Sequence, residues 1–173
     1  KTQYYGFDFS FNYEDFKLNL PKCDSMFIWA NYKESKRKGK LIRLQSKIET
    51  LEGHIQIDDP SNKSGLDTSH HEYPTLNSNT KTYVYYDDKS IQNGLYNREE
   101  FKFIVNPFLM DSLDNFTDYG IDLNGLFISG GIFPDFKESL QIMPDYSLGF
   151  IRSTPEDGFN IYDQLASYDN EIR

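Results

Sequence analysis

The sequence predicts an all-β protein built from many short, mainly antiparallel strands, with helices limited to short turns. Its 173 residues include 13 Tyr, 14 Phe and 1 Trp but only two alanines, Ala30 and Ala166. Aromatic side chains favour half-buried strands, whereas alanine is the best helix former. Several segments also alternate apolar and polar residues with the period of two typical of a strand. An extended sheet, a β-solenoid-like stack and a sandwich all fit this pattern.

The first strands are predicted from alternation near the start of the chain. Aromatic residues occupy every second position of residues 5–11 and should lie on one half-buried face. After a break, residues 16–20 resume the alternation, and Pro21 is expected to end that strand because proline has no backbone N–H.

A hairpin with a charged tip is predicted between residues 26 and 48. Two apolar stretches, 26–32 and 41–48, flank a basic run that contains Lys36, Arg37 and Lys38. These three cations are candidate contacts for lipid headgroups or for an acidic partner. The alternative is a solvated hairpin end, where lysines protect a sheet edge against aggregation.

Further strands are predicted at residues 51–57, 83–86, 101–105, 123–128, 140–142, 146–151 and 158–163. Residues 111–114 are expected to form a short helical turn with Asp as its N-cap. One pattern occurs twice, as Leu51-x-Gly53-x-Ile55 and as Leu123-x-Gly125-x-Phe127. A glycine in a strand permits close backbone approach or a bulge, and the repetition suggests stacked β layers in an extended sheet.

Charge and composition narrow the class of protein. A formal net charge of −9 argues against a general nucleic-acid binder, which needs a positive surface. The chain has no apolar run near the roughly 20 residues of a membrane-spanning helix. Cys23 is the single cysteine, which suits both the cytoplasm and a cysteine-poor bacterial envelope. We expect residues 1–173 to form one β-rich module cut from a longer chain, with the 58–80 loop as the candidate sub-boundary.

The polar loop offers candidate calcium ligands. Oxygen-bearing side chains cluster around Gly65, and those singled out are Asp58, Asp59, Asn62 and Asp67. Calcium takes about six to eight oxygen ligands, which a loop of this composition can supply. The spacing is not that of an EF-hand, and the same residue types form ordinary turns. No other cofactor is predicted, since the adjacent His70 and His71 would point to opposite faces of a strand.

An aromatic platform for sugars is the candidate organic-ligand site. Trp29, Tyr83 and Tyr85 could stack on a glycan, although aromatic residues in strands more often serve cross-strand packing. No catalytic residue is predicted. The sequence has three histidines and lacks a G-x-S-x-G nucleophile elbow, while its many carboxylates leave an Asp/Glu hydrolase open.

Three segments carry a resemblance to known proteins: GHIQIDDPSNKSG at 53–65, GGIFPDF at 130–136 and DYSLGF at 145–150. The sequences of these segments resemble parts of very large, uncharacterised envelope proteins of Bacteroidota. More distantly, the L-x-G-x-I pattern is similar to the strand patterns of AsmA- and TamB-type proteins. The β-rich bodies of those proteins carry lipids or assist outer-membrane assembly. The resemblance implies a location in the bacterial envelope, in the periplasm or at the cell surface.

The function expected from these observations is non-enzymatic. The chain would be a structural or assembly segment of a large envelope protein, presenting a β surface to a protein or lipid partner. Its partners would be other segments of the same protein or an envelope complex. A lipid partner would need an open apolar groove lined by Phe7, Phe9, Phe11 and the strand of Phe127. The alternatives are a glycan-binding module, with or without calcium, and a hydrolase using an Asp/Glu pair.

Overall fold

The computed structural model describes residues 1–31, 39–62, 72–89, 91–113, 121 and 123–173. Within these ranges the chain is nearly all strand, so the all-β prediction is confirmed. The helical structure described is a single 3-10 turn, Gln92–Gly94. Across the part of the chain that the structure describes, no helix has the length and apolar character needed to cross a membrane.

The strands run in chain order as β1 Thr2–Phe7, β2 Ser10–Asn12, β3 Lys17–Asn31, β4 Leu41–Arg43, β5 Ile48–Gln56, β6 Thr75–Ser78, β7 Thr82–Tyr85, β8 Phe101–Val105, β9 Leu109–Met110, β10 Leu123–Ser129, β11 Phe136–Ile142, β12 Leu148–Gly149, β13 Phe159–Ile161 and β14 Ala166–Tyr168. Twelve of these described strands form one antiparallel sheet with the order β1-β3-β5-β7-β8-β10-β11-β12. Strands β2 and β4 pair with β3, while β6 pairs with both β5 and β9. Strands β13 and β14 form a separate hairpin.

The longest strand, β3, has neighbours on both of its edges. Its 15 residues pair with β1 and β2 on one side and with β5 and β4 on the other. The prediction that Pro21 ends a strand is wrong, because β3 runs through it. Pro21 is exposed and lies where the register with β5 shifts between Leu20 and Cys23. A bulge of this kind needs no ladder hydrogen bond from the proline nitrogen.

The sheet curls, and the core fills its concave face. On β3 the side chains of Leu20, Met26 and Ile28 point inward and are fully buried. Hydrogen bonds between distant segments hold the curl on one side. The backbone N–H of Gln45 donates to the carbonyl oxygen of Tyr146 at 2.9 Å. Nearby, the N–H of Leu148 donates to Ser46 Oγ at 3.0 Å, which joins the β4–β5 connection to β12.

The expected lining of the open groove is divided between two places in the described chain. Phe127 is buried in the core, where its ring centroid lies 5.0 Å from that of Phe150 and 5.3 Å from that of Phe136. Phe7 and Phe11 are instead exposed at the opposite end of the sheet. Core packing therefore occupies the face that a lipid groove would have used.

The repeated L-x-G pattern has a structural reason. The apolar residues of both copies are buried in the core, and the two glycines leave room for a neighbouring strand. A Cβ atom on Gly53 would lie 2.0 Å from the carbonyl oxygen of Asn77, and one on Gly125 would lie 2.1 Å from that of Ile104. The expected close backbone approach is confirmed. The two copies belong to one extended sheet, as β5 and β10, and not to stacked layers.

Several predicted boundaries need correction. The stretch 41–48 is not one strand: β4 ends at Arg43, and β5 begins at Ile48. The stretch 146–151 contains only the two-residue strand β12. At the C-terminus, residues 164–173 contain β14, which was not among the predicted strands. Most of the expected 111–114 turn is irregular, and its last residue lies outside the described residues.

We expect the substitution Gly125→Ala to destabilise the fold by about 3 kcal/mol, because the added Cβ would force two strand backbones apart. Gly131→Ala is the matched control. Its surroundings are open, so its positive φ of 82° should be the main cost, at about 1 kcal/mol. Urea unfolding of both variants measures the difference. Equal losses of stability would contradict the close approach at Gly125.

Candidate functional site

One end of the sheet is a free strand edge. In the described chain, β1 pairs with β3 on one side only, and its other row of backbone N–H and C=O groups has no strand beside it. Such a row is a template for pairing with another chain, and natural edges are usually blunted by lysine, proline or shortness. The sequence of β1, TQYYGF, has no charged residue and no proline. At the opposite end, β12 is only two residues long.

Exposed aromatic side chains concentrate along this edge, and we call them the aromatic edge: Tyr5, Phe7, Phe9, Phe11 and Tyr13. Phe7 is 67% exposed and Tyr13 is 80% exposed. The ring of Tyr5 contacts that of Phe27 on β3 edge-to-face, with a centroid distance of 5.6 Å. Exposed aromatic rings grouped at one sheet edge are typical of an interaction surface.

The sequence predicted the four aromatic residues of 5–11 on one half-buried face, and that prediction is wrong. Asp8 has a positive φ of 60° and separates β1 from β2, which breaks the alternation. Phe7 pairs with the exposed Lys22, whereas Phe11 pairs with Leu18, which packs against the core. The rings before and after the break therefore face opposite sides of the sheet. Both remain exposed because no strand covers this edge in the described chain.

The predicted glycan platform is only partly assembled. Tyr83 and Tyr85 lie side by side on the outer face of β7, with parallel rings 5.8 Å apart. Trp29 also faces outward, but it is not aligned with the tyrosines. The β3 residue in line with Tyr83 is Ser25, because both pair with Glu49 of β5. The indole therefore lies about 13 Å further along β3. It forms a separate contact, with Lys1 Nζ 5.4 Å from its ring.

Arg98 covers the tyrosine pair. Its guanidinium carbon lies 3.9 Å from the ring of Tyr85, and its nitrogens donate to Asp87 Oδ2 at 2.8 Å and to Glu49 Oε1 at 2.9 Å. Tyr85 is thus held between Arg98 and Tyr83, with little free ring face for a sugar. The contacts fit cross-strand packing, the alternative interpretation. Sequence reasoning missed this cluster because Arg98 and Glu49 are 49 residues apart.

The expected 58–80 loop is not all loop, because Thr75–Ser78 form β6, and the structure describes the beginning of this stretch at residues 58–62. There the side chains stabilise a turn: Asp58 Oδ1 accepts from the Asp59 N–H, and Asp59 Oδ1 accepts from both the N–H and the hydroxyl of Ser61. The backbone N–H of Asn62 donates to the carbonyl oxygen of Asp59 at 3.1 Å. Asp67 lies outside the described residues. No group of three or more His, Cys, Asp or Glu in the described ranges is placed to hold a metal, and calcium stays a prediction.

The other singled-out residues add no described site. Lys36, Arg37 and Lys38 lie outside the described residues, as do His70 and His71.

Cys23 is buried on the inner face of β3. Its thiol donates to the carbonyl oxygen of Ser25 at 3.4 Å, and burial raises the pKa of the thiol, which disfavours the reactive thiolate.

We expect Arg98→Gln to lower stability by about 1–2 kcal/mol, because it removes two ion pairs and leaves the carboxylate of Glu49, 13% exposed, with Lys47 as its remaining described ion-pair partner. Lys22→Gln is the control. It breaks the exposed ion pair with Asp8, 3.0 Å long, and should cost less than about 0.5 kcal/mol. Chemical denaturation at low and high salt compares the two variants. Equal and negligible effects would show that Arg98 does not hold the outer face together.

Comparison with known proteins adds no family to this description. No family model matches the chain, and neither a curated protein nor a solved structure does. The proposed function therefore rests on the free edge of β1, the outer face of the sheet and the side-chain contacts of the chain itself.

Proposed function

We propose that this chain is a non-enzymatic structural or assembly segment of a large bacterial envelope protein, and that it presents its aromatic edge to a protein partner. The partner is another segment of the same protein or a subunit of an envelope complex. The observation that supports this proposal is the free edge of β1, which carries exposed aromatic rings and no charge.

The proposed mode of binding is strand addition. An extended segment of the partner pairs with the free backbone groups of β1, and its side chains cover the rings of Tyr5 and Phe7 on the outer face. Burying one such ring contributes about 1.5–3 kcal/mol. Two rings therefore contribute about 3–6 kcal/mol, to which the backbone hydrogen bonds add.

A protein partner fits this edge better than a lipid. Backbone N–H and C=O groups need hydrogen-bond partners, which another strand supplies and a hydrocarbon chain does not. The formal net charge of −9 also disfavours attachment to an anionic lipid surface. Assembly within a larger β structure is therefore favoured over lipid transport.

Glycan binding and hydrolysis are the alternative proposals. For glycans, Arg98 would have to move off Tyr85 before a sugar could stack there. For hydrolysis, one carboxyl of a pair must carry a proton. Glu49 and Asp87 instead both form ion pairs with Arg98. A glycan microarray separates the first alternative, since binding that is lost in Tyr83→Leu would favour it.

Photo-crosslinking from Phe7 tests the proposed docking. A benzophenone amino acid replaces Phe7 in the parent protein, in cells that produce it, and irradiation is expected to give a covalent adduct with a polypeptide. Leu95, 78% exposed in the turn after Gln92–Gly94, is the control position and should give no discrete adduct.

A second substitution links the adduct to strand addition. Tyr5→Lys places a charge on the edge and removes one ring that the partner would bury. The yield of the Phe7 adduct should therefore fall by about tenfold. Adducts with lipid in place of protein, or an equal yield from Phe7 and Leu95, would overturn the proposal.

A further inference from the structure

A cleft of about 660 Å³ opens beside the aromatic core, away from the aromatic edge. Its walls combine residues from strands, turns and the C-terminal segment, among them Tyr86, Tyr96, Phe101, Phe133 and Tyr168. Pockets that bind small molecules measure about 300–1,000 Å³ and are lined mainly by apolar and aromatic side chains. The cleft matches them in both size and lining.

The lining is dominated by aromatic rings in contact with one another. Tyr96 and Phe101 stack at 4.0 Å, and Phe133 meets Tyr168 edge-to-face at 5.7 Å. The ring of Tyr86 meets that of Phe101 edge-to-face at 5.8 Å. Faces of aromatic rings carry partial negative charge and attract cations.

Charged residues at the cleft leave a negative balance. Arg173 and Glu171 form an ion pair 2.5 Å long, so their charges offset each other. Asp145 Oδ1 accepts hydrogen bonds from the N–H and the hydroxyl of Ser147, which lower the pKa of the carboxyl and keep it ionised. No described cation pairs with Asp145, so its negative charge is uncompensated at the cleft.

From the aromatic lining and the uncompensated carboxylate, we infer that this cleft binds a small organic cation with an apolar body, of the quaternary ammonium class. The aromatic rings receive the methylated ammonium group, and Asp145 supplies the opposite charge. This ligand site is independent of the aromatic edge and of the proposed assembly role.

Paired ligands test the inference. Calorimetric titration with choline is compared with 3,3-dimethylbutan-1-ol, in which carbon replaces the charged nitrogen at nearly the same shape. We expect choline to bind at millimolar concentration or below and the neutral alcohol to bind about tenfold more weakly. Equal affinities, or no choline binding at millimolar concentration, would overturn the inference.

Single substitutions test whether choline binds in this cleft. Tyr96→Leu keeps an apolar wall without the ring and should weaken choline binding about fivefold. Asp145→Asn keeps an acceptor for Ser147 but removes the charge, and a loss of about threefold is expected. Asp8→Asn removes the same charge at the aromatic edge, where asparagine tolerates the positive φ, and should change nothing. An equal loss in the two Asp variants, or unchanged binding in Tyr96→Leu, would refute the assignment to this cleft.

Discussion

The pairing of β3 along both of its edges is the constraint on which the rest of the fold depends. Its 15 residues set the register of β1 and β2 on one side and of β5 and β4 on the other. Strand side chains alternate between faces, so a slip of one residue would turn Met26 and Ile28 from the core to solvent. The bulge at Pro21 shifts the register within the strand without ending it.

The curled sheet separates the core from the surfaces available for binding. The concave face is filled by aliphatic and aromatic packing around Phe103 and Phe127, which leaves the edge, the outer face and one cleft for partners. The outer face is held by Arg98 in ion pairs and ring contact. The free edge at β1 suits a polypeptide, whereas the cleft suits a small ligand. Aromatic side chains thus pack in the core, as Phe103 and Phe127 do, and are also exposed at the aromatic edge, as Phe7 and Tyr13 are.

Local patterns predicted much of this fold, and long-range contacts account for what they missed. Alternation identified β5, because the side chains of a strand point in turn to the core and to the outer face. The same alternation could not show that β1 has no outer neighbour, so Phe7 was expected to be half-buried. The Arg98–Glu49 pair joins residues distant in sequence, and the cleft gathers side chains from several separate segments. For Asp58 and Asp59, composition allowed both a metal site and a turn, and the described contacts are those of a turn.

Residue-resolved hydrogen exchange tests the two-sided pairing of β3 most directly. In an antiparallel strand, successive N–H groups point to opposite edges, so a strand paired on both sides protects consecutive amides. We predict slow exchange at the three consecutive amides Ser25, Met26 and Phe27, and slow exchange at alternate amides only in β1. Slow exchange at Ser25 and Phe27 with fast exchange at Met26 would mean that one edge of β3 is open, and it would contradict the sheet order on which the aromatic edge depends.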